Sequence, residues 1–398
     1  MTRDRTNNPF LPGAGAVPEV WIGRREFLDD HDVARLTRLR GTYTSGTVLI
    51  GPSGIGKSVL VNRLAARSAD DGDLVLDAVR VARRSDPLSQ LAGAVRATAD
   101  QVASGRRRGA LSELFDRLEL VAVKGAQFAA REGVSNPHLA VRDALVHLGE
   151  VLARENVRRK RPRALLVRLD ELQNADDTQR SALLTAIGDL LEHTVELDVS
   201  GTTLSRHLPV LVYITGLPDL LNRATNVDTF RRRFATRKLT LFTDAEVSES
   251  LLTTQMPDGV TFTHDAAAGL AELVGGDPYL FQYVGRAAWD AGTGPTVGTD
   301  DIDAADTATY HERLRIIEAA SEDVPDSEAE VLDALYAAAG GGDTARGVDV
   351  AQRLGKTLPQ IATAARRLEQ RALIVRERGG WRVTHQLIRR LRETGDVV

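Results

Sequence analysis

A glycine-rich segment near the start of the chain has the residue types and the spacing needed to hold phosphate groups. It matches G-x-x-x-x-G-K-[ST] at every fixed position. Glycines let backbone N–H groups turn towards phosphate oxygens, and the N-terminus of a following helix adds its dipole. We expect Lys57 to reach the β and γ phosphates of ATP and the Ser58 hydroxyl to ligate Mg²⁺. The segment comprises Gly51, Pro52, Ser53, Gly54, Ile55, Gly56, Lys57 and Ser58, with Val59 next.

Two adjacent carboxylates, Asp170 and Glu171, supply the second half of the expected chemistry. They end the apolar run 165–169, in which Arg168 is the one unexpected residue. An acidic pair of this kind often just caps a strand. Here it follows Lys57 at a distance that leaves room for one intervening strand and its helices, which favours a shared site. We expect Asp170 to hold Mg²⁺ through water and Glu171 to orient and polarise the attacking water.

The elements around these motifs predict an α/β fold with a parallel sheet flanked by helices. Strand candidates lie at 47–50, 74–81, 165–169, 210–214 and 238–242. Long helical patterns separate most of them, as in doubly wound sheets. A strand before the glycine segment and a helix after it argue against a chance glycine turn. A GTPase is disfavoured because no NKxD motif for guanine occurs.

The rest of the chain predicts two further modules. Residues 244–325 have helical patterns and should form a helical lid. Residues 326–398 show a helix, a glycine loop, two helices and a hairpin, which is the order of a winged helix-turn-helix. The predicted domains are therefore a core at 1–243 with an extended N-terminal arm, a lid at 244–325 and a winged helix at 326–398.

The predicted winged helix is also the basic part of the protein. From residue 346 onwards the chain has twelve Lys/Arg and five Asp/Glu, whereas 243–326 is strongly acidic. One helix face and the hairpin carry side chains suited to base edges and phosphates, which predicts contact with double-stranded DNA. A module that docks a protein and has an ordinary solvated basic face is the alternative. The candidate DNA contacts are Gln360, Thr363, Arg367, Gln370, Arg371, Arg376, Arg378 and Arg382.

Bulk composition is that of a globular protein. The 398 residues suit two or three domains, with 42% hydrophobic residues and a net charge of -4. Cysteine is absent, which excludes disulfides and cysteine-ligated metals, and the eight histidines show no metal-ligand spacing. No apolar stretch has the length of a membrane helix. We therefore expect a cytoplasmic protein that does not bind membranes.

Taken together, the motifs resemble AAA+ ATPases. The similarity is to the branch with origin-recognition initiators and transposition-helper ATPases, whose members include proteins with a terminal winged helix. It covers nearly the whole chain, and is carried by NPFLPGAG, WIGRRE, DELQNAD, ITGLPDL and GGDPYLFQ besides the phosphate loop. The resemblance implies ATP hydrolysis that switches conformation or assembly state, in a nucleotide-dependent homo-oligomer or with a protein partner.

The resemblance also implies roles for residues outside the two motifs. Gly23 and Arg24 would lie near the adenine, and Thr215 would be the sensor that touches the γ phosphate or the water. Three arginines before the fifth strand occupy the place of the arginine finger that reaches a neighbour's ATP, or they form an exposed basic helix end. They are Arg231, Arg232 and Arg233.

One departure from the initiator pattern keeps other functions open. Initiators have an arginine after the glycine-aspartate of the lid, where this chain has Pro278 and Tyr279. This resembles STAND signalling ATPases, whose lids share a Gly-x-Pro turn and which usually carry a superhelical sensor domain after the winged helix. A small-molecule P-loop kinase is the other alternative, but it would need a phosphate-acceptor pocket and would not explain the terminal module.

Overall fold

The structure is a computed structural model, and its contacts divide the chain into two units. One unit comprises residues 24–51 and 57–238, and the other comprises 1–23, 52–56 and 239–398. The residues that the structure describes are 3–13, 15, 17–83, 85–102, 118, 120–123, 136–217, 220, 232–321, 324–339, 344–371, 373–377 and 379–383.

The first unit is built on a parallel sheet, as the sequence predicts. Its strand order is β2-β4-β7-β1-β8, and β3 also pairs with β4. The central strands β1, β4 and β7 are almost wholly buried, which suits a sheet covered on both faces. The strands are β1 (Gly46–Ile50), β2 (Leu74–Val75), β3 (Val79–Arg80), β4 (Leu165–Asp170), β7 (Val210–Gly216) and β8 (Phe234–Lys238).

Register in this sheet brings the ends of three strands to one level. Leu49 in β1 lies beside Thr215 in β7, and Leu169 in β4 lies beside Ile214. Asp170, which ends β4, therefore lies at the same edge as Thr215. Ligands of open parallel sheets bind at this carboxyl edge.

Helices of the first unit cover the sheet with apolar faces. Leu60 and Leu64 of α2 and Leu145 and Leu148 of α4 are buried. The helix α5 begins after Asp176, whose carboxylate accepts a hydrogen bond from the Gln179 N–H at 2.8 Å. The helices include α1 (Arg25–Leu39), α2 (Lys57–Asp70), α3 (Pro87–Val102), α4 (Pro137–Asn156) and α5 (Asp177–Glu192).

Two features of the sheet differ from the sequence prediction. The fifth strand is Phe234–Lys238, so the predicted strand at 238–242 was wrong. Only Phe234 is buried in this strand, because β8 pairs with β1 alone, at the edge of the sheet, and needs no apolar run. An antiparallel hairpin, β5 (Thr194–Val199) and β6 (Thr202–His207), was not predicted and precedes β7.

The second unit contains the helices that follow the sheet and also the N-terminal arm. A short parallel pair of strands, β9 (Thr261–Phe262) and β10 (Thr296–Val297), accompanies the helices and was not predicted. The arm residues Phe10, Val20 and Ile22 are buried in the same apolar cluster as these helices. The helices are α6 (Asp244–Thr253), α7 (His264–Val274), α8 (Pro278–Ala291) and α9 (Thr299–Ser321).

A third apolar cluster lies in the C-terminal part of the second unit. Val331, Leu335, Ile361, Leu368 and Trp381 belong to it. The order of elements is the predicted one of three helices and a hairpin. They are α10 (Asp326–Ala338), α11 (Gly347–Arg353), α12 (Leu358–Gln370), β11 (Ile374–Glu377) and β12 (Gly380–Val383).

Helices in the described part of the chain lack the combination of length and apolar character needed to cross a bilayer.

Candidate functional site

The glycine segment joins strand β1 to helix α2, which is the context its motif requires. Gly54 and Gly56 have φ values of 80° and 86°, in the left-handed region that favours glycine. A Cβ atom on Gly54 would meet no described atom within 4 Å. The backbone conformation, and not a lack of space, therefore requires glycine at this position.

Lys57 is the first residue of α2 and its side chain is buried, with 4% of its surface exposed. Its ammonium group donates a hydrogen bond to the carbonyl oxygen of Gly51 at 2.9 Å. Burial lowers the pKa of Lys57, and the nearby carboxylates of Glu171 and Asp170 act in the opposite direction. A buried cation at the start of a helix is suited to receive an anionic group such as a phosphate.

Ser58 and Asp170 are brought together from α2 and β4. The Ser58 hydroxyl lies 3.0 and 2.8 Å from the two carboxylate oxygens of Asp170. The Thr215 hydroxyl, at the end of β7, also donates to Asp170. These oxygens are the hard ligands that Mg²⁺ prefers. Within the described residues, no group of three or more His, Cys, Asp or Glu side chains is placed to hold a metal ion.

Glu171 is held in an unusual backbone conformation immediately after the strand. Its φ is 59°, and its N–H donates to the Thr215 hydroxyl at 3.1 Å. The Gln173 side chain donates to the Glu171 carboxylate and accepts from the Leu217 N–H at 3.2 Å. Sequence reasoning missed Gln173. The only signal for it was a polar residue two positions after the acidic pair.

Arg168 now has a structural explanation. Its guanidinium donates to the carbonyl oxygen of Leu76 and to the side chain of Asn62, at 3.1 and 2.9 Å. Burial lowers its pKa, while Asp77 and Asp170 raise it. Arg168 thus links β4 to α2 and to the residue that follows β2.

Gly23 and Arg24 lie in the turn before α1. Both have left-handed backbones, with φ values of 49° and 57°, and Arg24 is buried. The carbonyl oxygen of Gly23 accepts a hydrogen bond from the Trp21 indole at 2.9 Å. A positive φ at Arg24 is unusual for a residue with a side chain and marks this turn as tightly specified.

The three arginines before β8 have different surroundings. Arg231 lies outside the described residues. Arg233 is 17% exposed and forms ion pairs with Asp189 and Glu192 of α5, at 3.0 and 2.7 Å. Arg232 is exposed, and its carbonyl oxygen accepts a 3.4 Å hydrogen bond from the Tyr43 hydroxyl. Of the two described arginines, Arg232 is the one whose side chain faces solvent.

Candidate DNA contacts on helix α12 are partly engaged inside the protein. Gln360 belongs to the capping box at the start of the helix, and its amide oxygen accepts from the Thr357 N–H at 2.7 Å. Arg367 and Arg371 both face Glu328, at 3.2 and 3.5 Å, and the Glu328 side chain is only 2% exposed. The side chain of Gln370 lies outside the described residues.

The exposed face of α12 holds one basic residue that the sequence analysis did not select. Arg366 is exposed and lies one helical turn after Thr363, which is also exposed. Arg366 could have been predicted from its position three residues after Thr363, which places both residues on one face of a helix.

In the hairpin, Arg376 is exposed and pairs across the strands with Trp381. Arg382 pairs with Val375, so Arg376 and Arg382 point to opposite faces. Arg378 lies outside the described residues. A single basic stripe along the hairpin therefore does not include both Arg376 and Arg382.

Comparison with known proteins agrees with the site geometry. Residues 20–199 match the model of the AAA ATPase domain family. The match spans the phosphate loop, the acidic pair, α1 and the hairpin strand β5. No curated protein matches the sequence.

Three solved structures align with most of this chain. The walker-type ATPase paby2304 of Pyrococcus abyssi is 15% identical over 94% of this chain and 96% of its own, with a TM-score of 0.57. The Orc1 protein of Aeropyrum pernix, solved in complex with DNA, is 18% identical over 99% and 97%, with a TM-score of 0.46. Cdc6p from Pyrobaculum aerophilum is 14% identical over the full length of both chains, with a TM-score of 0.47. The similarity to the Pyrococcus abyssi ATPase is a similarity of fold.

Proposed function

We propose that this chain, a P-loop ATPase with an AAA ATPase domain, hydrolyses ATP in the cytoplasm to switch its conformation or assembly state, and couples this switch to double-stranded DNA. The main observation in favour of an ATPase site is the hydrogen bond from the Ser58 hydroxyl to the Asp170 carboxylate, close to the buried side chain of Lys57. These three groups come from a loop-helix junction and from the end of β4 at the same edge of the sheet, as phosphoryl chemistry requires.

Each residue of the site has a defined task in this proposal. The loop from Gly51 to Ser58 and Val59 cradles the phosphates of ATP, and Lys57 neutralises their charge. Ser58 and Asp170 would hold Mg²⁺, which supplies charge neutralisation at the phosphates. Glu171 orients and polarises the attacking water, and Thr215 reports on the γ phosphate through its bond to Asp170. Gly23 and Arg24 lie near the adenine.

Arg232 is the residue that suggests assembly into an oligomer. An arginine finger stabilises transition-state charge from a neighbouring subunit, so its side chain must face outwards. Arg232 meets this condition, whereas Arg233 is paired with Asp189 and Glu192 and fixes the segment to α5. Of the two described arginines we therefore assign the finger to Arg232, and we propose a nucleotide-dependent homo-oligomer.

DNA binding rests on the charge and exposure of the C-terminal module. Thr363 and Arg366 on α12 and Arg376 on β11 are exposed. A helix with exposed polar side chains beside a basic hairpin suits the major groove and the adjacent phosphates. Arg367 and Arg371 join them once they leave Glu328 and contact DNA.

A second candidate function has its own support. Val348 and Leu358, in the first turns of α11 and α12, are 60% and 42% exposed and apolar. Together with the internal pairing of Arg367 and Arg371, they suit a module that docks a protein, as in a STAND-like signalling ATPase.

The two functions separate in one experiment. Binding of a fluorescent DNA duplex is measured with ATP, with ADP and without nucleotide, at low salt. The DNA proposal expects affinity to change with the nucleotide. Absence of binding in all three states, from a chain that hydrolyses ATP, leaves the protein-docking function.

A further inference from the structure

We infer that Gln173 is a positioning residue that sets the direction of the Glu171 carboxylate. This inference rests on the proposed role of Glu171 towards the attacking water. It adds a residue that neither the phosphate-loop motif nor the acidic pair contains.

Gln173 links the catalytic carboxylate to a fixed point of the main chain. Its amide nitrogen donates to Oε2 of Glu171, and its amide oxygen accepts from the N–H of Leu217, one residue beyond β7, at 3.2 Å. A Cβ atom added to Gly216 would lie 3.2 Å from the same amide oxygen, so this part of the chain passes close to Gln173. Both ends of the amide are therefore engaged.

The main chain of Glu171 is fixed independently. Its φ of 59° is left-handed, and its N–H donates to Thr215 at 3.1 Å. A non-glycine residue in this region is strained and persists only where its surroundings determine it. The backbone is thus tied to Thr215 and the side chain to Gln173.

A carboxylate that orients water needs this second restraint. The group must present an oxygen at hydrogen-bonding distance from the water, and a carboxylate left to rotate spends little time in the productive direction. A glutamine can restrain it because its amide both donates and accepts. Glutamate at the same position would place a second acceptor against Glu171, and asparagine is one methylene too short to span both partners.

The inference predicts a specific loss of turnover. Gln173→Ala, Gln173→Asn and Gln173→Glu should each lower kcat by roughly ten- to a hundredfold, the scale of a small misplacement of a reacting group. Nucleotide affinity, measured by equilibrium binding of a fluorescent ATP analogue, should stay within twofold. Gln179→Ala, which removes a glutamine side chain from α5, is the matched control and should keep the wild-type kcat. Melting curves identify any Gln173 variant that has lost its fold. The kcat values of the remaining folded Gln173 variants then test the inference.

A double-mutant comparison shows whether Gln173 acts through Glu171. Single-turnover hydrolysis is measured for Glu171→Gln with and without Gln173→Ala. Because the carboxylate is already gone, Gln173→Ala should cause no further loss in this background. A wild-type kcat for folded Gln173→Ala overturns the inference, and so does an equal loss in both backgrounds. Wild-type turnover by Glu171→Gln itself instead overturns the proposed role of Glu171.

Discussion

The Ser58 hydroxyl lies 2.8 Å from a carboxylate oxygen of Asp170, although 112 positions separate the two residues in the chain. The contact joins the first turn of α2 to the end of β4. It depends on the register that places Asp170 level with Thr215, because Thr215 bonds to the same carboxylate. The sheet thus aligns Asp170 with Thr215, and α2 brings Ser58 to the same carboxylate.

Lys57 and Glu171 should have separable roles. Lys57→Ala should weaken ATP binding by roughly ten- to a hundredfold, since hydrogen bonds to charged groups contribute about 1.5–3 kcal/mol. Glu171→Gln should bind ATP with wild-type affinity and lose kcat by roughly 10²–10⁴-fold. Nucleotide titration and phosphate release measure the two effects. The exposed Lys160 provides a control, and Lys160→Ala should change neither. Tight ATP binding by Lys57→Ala would contradict the assignment of Lys57.

Arg232 and Arg233 should differ when mutated. Hydrolysis per subunit should rise with the concentration of the wild-type protein, and Arg232→Ala should abolish that rise without weakening ATP binding. Arg233→Ala should instead lower the melting temperature, because it removes the ion pairs with Glu192 and with Asp189, the second of which also pairs with Arg142 at 3.8 Å.

Mixing identifies action between subunits. Arg232→Ala retains Glu171, and Glu171→Gln retains Arg232, so a mixture of the two inactive proteins should recover part of the activity. A mixture that stays as inactive as its components excludes Arg232 as a residue that acts in trans.

Arginines of the C-terminal module should give two DNA-binding phenotypes. If Arg376 contacts a phosphate, Arg376→Ala should weaken binding to all duplexes alike and make the log-log salt slope shallower by about 0.9. Arg366 and Arg367 lie on the helix, so their loss should relax preference at one base position by about 1–3 kcal/mol. Fluorescence anisotropy across a salt series measures both. Arg315→Ala, on the exposed surface of α9, is the control of equal charge. A salt slope unchanged in Arg376→Ala would sink the phosphate assignment.

Glu328 offers a direct test of whether its arginines are available to DNA. Glu328→Gln removes the charge that holds Arg367 and Arg371 and should tighten DNA binding, since in the wild type both cations must first leave a carboxylate to reach DNA. Weaker binding in a folded variant would mean that Glu328 instead positions these arginines for DNA.

The sequence predicted the parts of the fold that are local. The phosphate loop is contiguous, and a buried strand that ends in two carboxylates is visible as a run of apolar residues before Asp170. The GGDP segment is also explained by local structure, since the Asp277 carboxylate accepts from the N–H groups of Tyr279 and Leu280 at the start of α8. A Cβ atom on Gly276 would lie 2.0 Å from the carbonyl oxygen of Phe242, so that glycine is required by packing.

The parts that depend on distant partners were not predicted. The strand β8 lies at the sheet edge and has no apolar run. The nearby apolar residues Leu239 and Phe242 explain why a strand was predicted at 238–242. The sequence around Arg168 and Arg233 does not specify their partners: Arg168 bonds to the carbonyl oxygen of Leu76, just after β2, and Arg233 bonds to two carboxylates of α5. Nothing in the residues around Gln173 specifies that Leu217 will supply the N–H group for its amide oxygen.

His31 should make stability depend on pH in a defined direction. It is fully buried in α1, and its ring nitrogens contact the Tyr213 hydroxyl at 2.8 Å and the Ser68 hydroxyl at 3.1 Å. Burial lowers the pKa of His31, although Asp32 and Asp73 oppose this. The unfolded chain therefore binds a proton more readily than the folded one.

It follows that the contribution of neutral His31 is fully present above its unfolded pKa of about 6.5 and is lost as the pH falls through the lower pKa of the folded state. His31 can change the free energy of unfolding by at most about 1.4 kcal/mol per pH unit, which is the value for the uptake of one proton. Urea unfolding at a series of pH values between 8 and 5 measures the free energy of unfolding. His31→Gln should be less stable at pH 8, because the buried contacts are disturbed, and should lose less stability than the wild type on acidification. His264→Gln, at the exposed start of α7, is the control for the change of residue type. If His31→Gln and His264→Gln give the same slope as the wild type, His31 is not the group that titrates.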